Sequence, residues 1–267
     1  MITPAEFRTL VWRQYRAHGR HNLPWRHTRD LYRILVSEVM LQQTQVERVL
    51  PFYTRFIKRF PTARKLAQAS LSEVLKSWQG LGYNRRAKML HAAAKEIWMH
   101  KSLTVTELEA LPGVGPYTAR AVSAFAYNAD VIFIETNIRT AVIHHFFPNK
   151  KEVPDKLIAR TLAQVFPKGR AREWYSALMD YGARLKRSGV SHNARSRQYT
   201  KQSKFAGSLR EARGAILREL IRGTASSSHL GKLFGPTRRA QVHTALEALM
   251  REGLVEKEGR ERYTLAG

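Results

Sequence analysis

The sequence predicts an all-α body followed by a small α+β domain that ends in a β-ribbon. Three observations predict it. Apolar residues recur at helical spacing from residue 5 to about 185, broken by short Gly/Pro turns and with almost no alternating strand pattern. From about 184 to 213 the composition shifts to nine Lys or Arg against one acid, with many small polar residues, as in a basic linker. Beyond it stand three helix candidates and then two short strands around Gly259.

Each element has a local reason. The opening MITPAEFRTLVWRQYR is amphipathic and reads as a helix rather than a secretion signal, because it lacks a continuous apolar core. Ser70–Glu73 (SLSE) and Thr104–Glu107 (TVTE) have capping-box spacing ahead of apolar turns. Leu111–Gly115 (LPGVG) reads as a tight hairpin between two helices, with Gly113 and Gly115 free to take positive φ and Pro116 suited to a first helical turn. After the linker, LREARGAILRELI, SSSHLGKLFG and TRRAQVHTALEALMREG, then LVEKEGRERYTLAG, follow the order of a winged helix-turn-helix. Arg238 and Arg239 open its third helix and are candidate DNA contacts.

Composition bounds the partners. The chain has 267 residues, 43% hydrophobic and 10% aromatic, enough for sizeable cores. Forty-six Lys and Arg against 21 Asp and Glu give +25, a surface suited to a polyanion, with nucleic acid the leading partner. No apolar run reaches the roughly 18 residues a membrane span needs, so a cytoplasmic, nucleoid-associated location is expected. There is no cysteine, which excludes disulfides and thiolate-held zinc or iron–sulfur clusters. The histidines show no metal-type spacing, and no metal site is expected.

Three stretches carry candidate chemistry. In LYRILVSEVMLQQTQV, residues Leu31, Ile34, Leu35, Glu38 and Gln42 fall on one helical stripe, so Glu38 lies on the apolar side. A desolvated carboxylate there keeps its proton to higher pH, as a general acid needs; a partly exposed Glu paired with arginine is the alternative. At the hairpin, Gly113, Val114 and Gly115 expose amides that fit a DNA phosphate. In VIFIETNIRT, Glu135 follows four apolar residues. Thr136 or Asn137 can cap the helix that follows, and an acid near its start suits the dipole, so on this stretch alone capping is the reading favoured for Glu135, with chemistry the alternative.

LPWR (Leu23–Arg26), SEVMLQQTQV (Ser37–Val46), GLGY (Gly80–Tyr83), LPGVG and WYSALMDYGA (Trp174–Ala183) together resemble the helix–hairpin–helix (HhH-GPD) DNA glycosylases, most closely the MutY-type adenine glycosylases, over residues 5 to 185. The resemblance implies a two-lobed helical fold over 1–185, with a six-helix lobe at about 29–130 and a second lobe from the N-terminal helix plus about 131–185. A basic linker (186–207) and the winged-helix-like domain (208–267) complete the chain. It implies a groove for double-stranded DNA carrying a damaged or mismatched base, a flipped base in a pocket, and a monomeric enzyme. Glu38 takes the family's base-protonating position. Tyr117 stands where strand-cutting relatives have a Schiff-base lysine, which implies a monofunctional glycosylase. Gln42, Gln43, Thr44, Leu81 and Tyr83 resemble wedge and opposite-base contacts. No cofactor is required, with the hairpin 111–115 a candidate site for a monovalent cation.

The departures are as informative. Glu135, followed by Thr136 and Asn137, replaces an aspartate that faces the sugar cation, with Asn137 placed to steady it. Lys186 stands near the first of four missing cluster cysteines. The 8-oxoguanine-reading domain is absent, and Asn84 replaces a second tyrosine. Adenine in a mismatch is the expected target; hypoxanthine, mismatched thymine, or a non-catalytic lesion-binding role are the alternatives.

Overall fold

A computed structural model describes residues 2–192, 195 and 204–267. The expected linker lies partly outside them. Fourteen α-helices and one three-stranded sheet make up the described fold, and no described helix is long and apolar enough to cross a membrane. The chain divides into two compact units. The first comprises Met1–Glu38, Ser102–Ala110 and Val114–Lys201; the second comprises Val39–Lys101, Leu111–Gly113 and Gln202–Gly267.

The first unit is built on α1 (Pro4–His18), α8 (Pro116–Tyr127), α9 (Thr136–Phe146), α10 (Asp155–Val165) and α11 (Ala171–Arg187). Thr3 and Glu6 close a capping box at the start of α1. Phe7, Val11, Ile138, Val142, Trp174 and Leu178 form the centre of its core. A buried ion network joins two of the motifs read from the sequence. Asp180 of α11 accepts from Arg26 at 2.7 and 2.9 Å, and from the side chain and backbone of Arg20 at 2.6 and 2.8 Å. The short helix α7 (Val105–Ala110) enters the hairpin under a cap from Thr104.

In the second unit α3 (Val46–Arg59), α4 (Ala63–Gln68), α5 (Leu71–Trp78) and α6 (Arg85–Ile97) enclose Val49, Phe56, Leu66, Trp78 and Leu90. With α2 (Leu31–Leu41), α7 and α8, seven helices rather than six occupy 29–130. The additional one is explained by Thr62, whose side chain caps the six-residue α4. The C-terminal segment supplies α12 (Leu209–Arg222), α13 (Ser227–Gly231) and α14 (Arg239–Arg251). Its sheet has the order β1 (Ala225–Ser226), β3 (Arg262–Leu265), β2 (Val255–Glu258), all antiparallel. The two expected strands gain a third, because Ala225 and Ser226 pair with Tyr263 and Arg262. Lys88 of α6 donates to the carbonyls of Glu252 and Gly253 at 2.7 and 3.1 Å, which ties this segment to the helices of its own unit.

Candidate active site

The extended run Val131–Ile134 is shaped by α11. The Tyr175 hydroxyl donates to the Val131 carbonyl at 2.7 Å and accepts from the Phe133 amide at 3.3 Å. Its ring stacks on Phe133 with centroids 3.8 Å apart. Four apolar residues can therefore run extended without a sheet, their backbone partly satisfied by a tyrosine. Glu135 follows, and it is the N-cap of α9: its Oε1 accepts from the amides of Asn137 and Ile138 at 2.8 and 2.7 Å. The cap is thus Glu135, where the sequence offers Thr136 or Asn137, because the longer side chain folds back onto the first free amides.

Tyr117, in the first turn of α8, packs edge-on against Phe133 at 5.6 Å between centroids. Its hydroxyl donates to Oε2 of Glu38 at 3.4 Å. Glu38 is 6% exposed, on α2 among apolar neighbours. Burial, and next the negative charge of Glu135, push its pKa from 4.5 up to about 7, against the opposing hydrogen bond from Tyr117. The Tyr117 phenol is itself driven far upward by burial, by Glu38 and Glu135, and by donating to Glu38, so it stays a donor at any ordinary pH. The arrangement unites a carboxyl able to hold a proton near neutrality, a phenol that orients it, and a second carboxylate at a helix start.

Two further residues hold this constellation. A Cβ on Gly182 would lie 2.0 Å from the Asn137 carbonyl oxygen, so only glycine lets α11 approach the first turn of α9. Lys186 donates to the Thr136 hydroxyl at 2.9 Å, and that hydroxyl donates to Oε2 of Glu135 at 3.2 Å. Burial lowers the Lys186 pKa while Glu135 pulls it back up. The sequence contains both residues in or just after WYSALMDYGA, but the roles depend on close approach between helices and leave no periodic signal. Asn137 is half-buried and contributes its amide to Glu135.

The hairpin uses its glycines unequally. Gly113 has φ of 75°, and a Cβ there would meet that of Met89 at 2.6 Å. Gly115, the N-cap of α8, is extended at φ −93° and ψ 178°, so the positive φ open to it is not used. Val114 is buried. In the second unit Gln42, Gln43, Thr44, Leu81, Tyr83 and Gly113 all border one cavity of about 1170 Å³. Leu81 is buried within it, whereas Gln43 is exposed. Arg238 pairs with Glu211 at 2.8 Å and lies over the Phe234 ring at 4.1 Å, engaged inside its own segment. Arg239 is exposed. Among the described residues no cluster of three or more His, Cys, Asp or Glu could hold a metal ion.

The family model described as HhH-GPD superfamily base excision DNA repair protein matches residues 36–168. An adenine DNA glycosylase of Mycolicibacterium smegmatis is 35% identical, over 100% of this chain and 97% of its own length. One from Mycobacterium tuberculosis is 34% identical, over 97% of this chain and 92% of its own. Among solved structures, a thermostable thymine-DNA glycosylase superposes with a TM-score of 0.61 at 26% identity, covering 67% of this chain and 86% of that one. A trapped endonuclease III–DNA covalent intermediate, 19% identical with a TM-score of 0.53 over 70% of this chain and 88% of that one, shares the fold. The chain belongs to the HhH-GPD superfamily of base excision DNA repair proteins.

Proposed function

We propose that this base excision DNA glycosylase removes adenine from mispaired duplex DNA, acting as a monomer and leaving the strand uncut. The observation that carries the reading is Glu38, buried, oriented by Tyr117, and with a pKa near 7. The names of the mycobacterial relatives support adenine as the base.

The chemistry follows from the groups present. Cleavage of an N-glycosidic bond leaves electron density on the purine and positive charge on the deoxyribose. Glu38 donates its proton to a ring nitrogen of the flipped base, which then leaves neutral; positioned general acids of this kind contribute about 10² to 10⁴ in rate. The Glu135 carboxylate, fixed by two amides, opposes the sugar cation once the flipped nucleotide excludes water from the site, where such a charge acts most strongly. Water adds to C1′, and the proton it releases balances the one Glu38 gave. Tyr117 hydrogen-bonds Glu38 and offers no amine, so no imine with the abasic sugar arises at that position. The hairpin 111–115 and the basic surface take the phosphate backbone.

Single-lesion duplexes carrying adenine, hypoxanthine or thymine opposite each partner base, treated with protein and then hot alkali, test the reading. Cleavage only after alkali, and fastest for adenine, is the expected result. Thymine preferred over adenine would favour the activity named for the thermostable structural relative, and no cleavage of any duplex would leave only lesion binding. Borohydride trapping should yield no covalent complex; efficient trapping would refute the uncut-strand assignment.

A further inference from the structure

Glu135 is held unevenly by its own helix. Both amides of the first turn of α9 that cap onto it converge on one oxygen, Oε1, at 2.8 and 2.7 Å. Those amides alone leave the carboxylate free to turn about that oxygen and carry Oε2 with it. A glutamate has one more torsion to fix than the short residues that favour an N-cap, so a charge held in one place needs a second tether.

The second tether comes from α11. Gly182 and Lys186 stand four residues apart on that helix and share a face. With no Cβ on Gly182 the two helices meet at the Asn137 carbonyl, and one turn further on the Lys186 ammonium donates to the Thr136 hydroxyl at 2.9 Å. An ammonium has donors and no acceptor, whereas a hydroxyl has a single proton. The Thr136 oxygen therefore accepts from Lys186 and gives its own proton to Oε2 of Glu135, 3.2 Å away. The direction of this relay is fixed at its lysine end, and each bond polarises the next. Thr136 is exposed while Glu135 and Lys186 are half-buried, so the relay is open to solvent until a nucleotide covers it. Exposed contacts of this kind add little to folding, and half-burying an ammonium works against it. Stability does not account for a lysine here.

We infer that Lys186 is a positioning residue for base excision: through the Thr136 hydroxyl it fixes the second oxygen of Glu135, so that the carboxylate meets the sugar cation in one orientation. A charge oriented beforehand lowers such a barrier because nothing has to reorganise as the cation forms. A hydroxyl donor supplies that orientation and leaves the carboxylate its charge. The inference rests on the reading of Glu135 as the charge that opposes the sugar cation, and deepens it by naming a residue that acts through another.

The test follows single-turnover excision at saturating full-length protein on the duplex cleaved fastest in the lesion panel, with DNA affinity and thermal midpoint measured alongside. Lys186→Met and Thr136→Val each remove one donor and should each slow excision about tenfold, the scale of one hydrogen bond to a charged group, with affinity and midpoint nearly unchanged. The double variant should be no slower than either single one, and Lys186→Met should add nothing in a Glu135→Gln protein, because members of one relay are not additive. Lys186→Arg and Thr136→Ser keep the donors and should retain most of the rate. A wild-type rate in Lys186→Met, or a double variant slowed about a hundredfold, would overturn the inference. So would a loss seen in affinity alone with a salt dependence shallower by about one ion, the mark of a direct phosphate contact. Excision at wild-type rate by Glu135→Gln would remove the role of Glu135 and the relay with it; a slow Glu135→Gln beside a fast Lys186→Met would remove the relay alone.

Discussion

Replacing Glu38 by glutamine should stabilise the protein and disable it together. In the folded state the carboxyl titrates near 7 instead of 4.5. Folding therefore binds a proton across that interval, and stability falls as pH rises through it. The contribution is fully present below pH 4.5 and lost above about 7. The rise is about 2.5, which at about 1.4 kcal/mol for each step makes ionised Glu38 cost about 3 kcal/mol at alkaline pH. Glu38→Gln has no charge to bury, and its amide oxygen can still accept from Tyr117. Urea unfolding of both proteins should show the variant ahead by under 1 kcal/mol at pH 5 and by about 3 kcal/mol at pH 8.5; the difference cancels the titrating groups that do not interact with Glu38. In single-turnover assays the variant should be slower by about a hundredfold or more, and wild-type rate should fall as pH rises above about 7. Tyr117→Phe removes the hydrogen bond that opposes the shift, so its falling limb should move to higher pH. A stability gap identical at both pH values would refute the burial argument, and wild-type excision by Glu38→Gln would refute the general acid.

Three other substitutions probe what surrounds Glu38. Glu135→Gln keeps an oxygen for the Asn137 and Ile138 amides, so unfolding should change by at most about 1 kcal/mol, while single-turnover excision drops about a hundredfold or more with DNA binding unchanged or tighter. Glu135→Asp keeps the charge and should retain more activity than the glutamine variant in the same assay. Gly182→Ala must push the start of α9 away from α11, because its Cβ would lie 2.0 Å from the Asn137 carbonyl oxygen; thermal unfolding should report a loss of about 1 to 3 kcal/mol, with excision reduced more than DNA binding. Asp180→Asn leaves Arg20 and Arg26 facing a neutral group and should cost about 3 kcal/mol by urea unfolding at pH 7. Burial alone would raise the Asp180 pKa, but Arg26 and then Arg20 hold it below the usual carboxylate range, so the penalty should shrink as pH falls through that lowered value.

What was legible depended on whether the signal was local. Capping boxes at Ser70 and Thr104, the turn at Gly259 and the apolar stripe that carries Glu38 depend on neighbours within a few residues, and each is found where the sequence predicts it. Gly182, Lys186 and the Asp180 network act across 40 or more positions of chain, so their residue types alone carried no distinguishing mark. Val131–Ile134 shows the same limit differently. Four apolar residues in a row satisfy a strand, a buried helix or an extended run equally well, and only Tyr175, 44 positions from Val131, decides among them.

Glu135 shows why capping and chemistry could not be separated by reading alone. Serine, threonine, aspartate and asparagine are the favoured N-caps, since a short side chain reaches the free amides without folding back. Thr136 and Asn137 stand beside it, either able to do that work, yet α9 begins one residue earlier with the longer acid as its cap. Capping therefore explains where the carboxylate is held, but it does not require an acid there. What an acid adds is an effect across the site, where, after burial, the charge of Glu135 helps keep a proton on Glu38. A carboxylate fixed by helix amides and a carboxyl kept protonated by burial occupy different environments, and under the proposed function that difference is what would let two like groups divide acid and electrostatic roles. The cap is the means by which the charge is positioned.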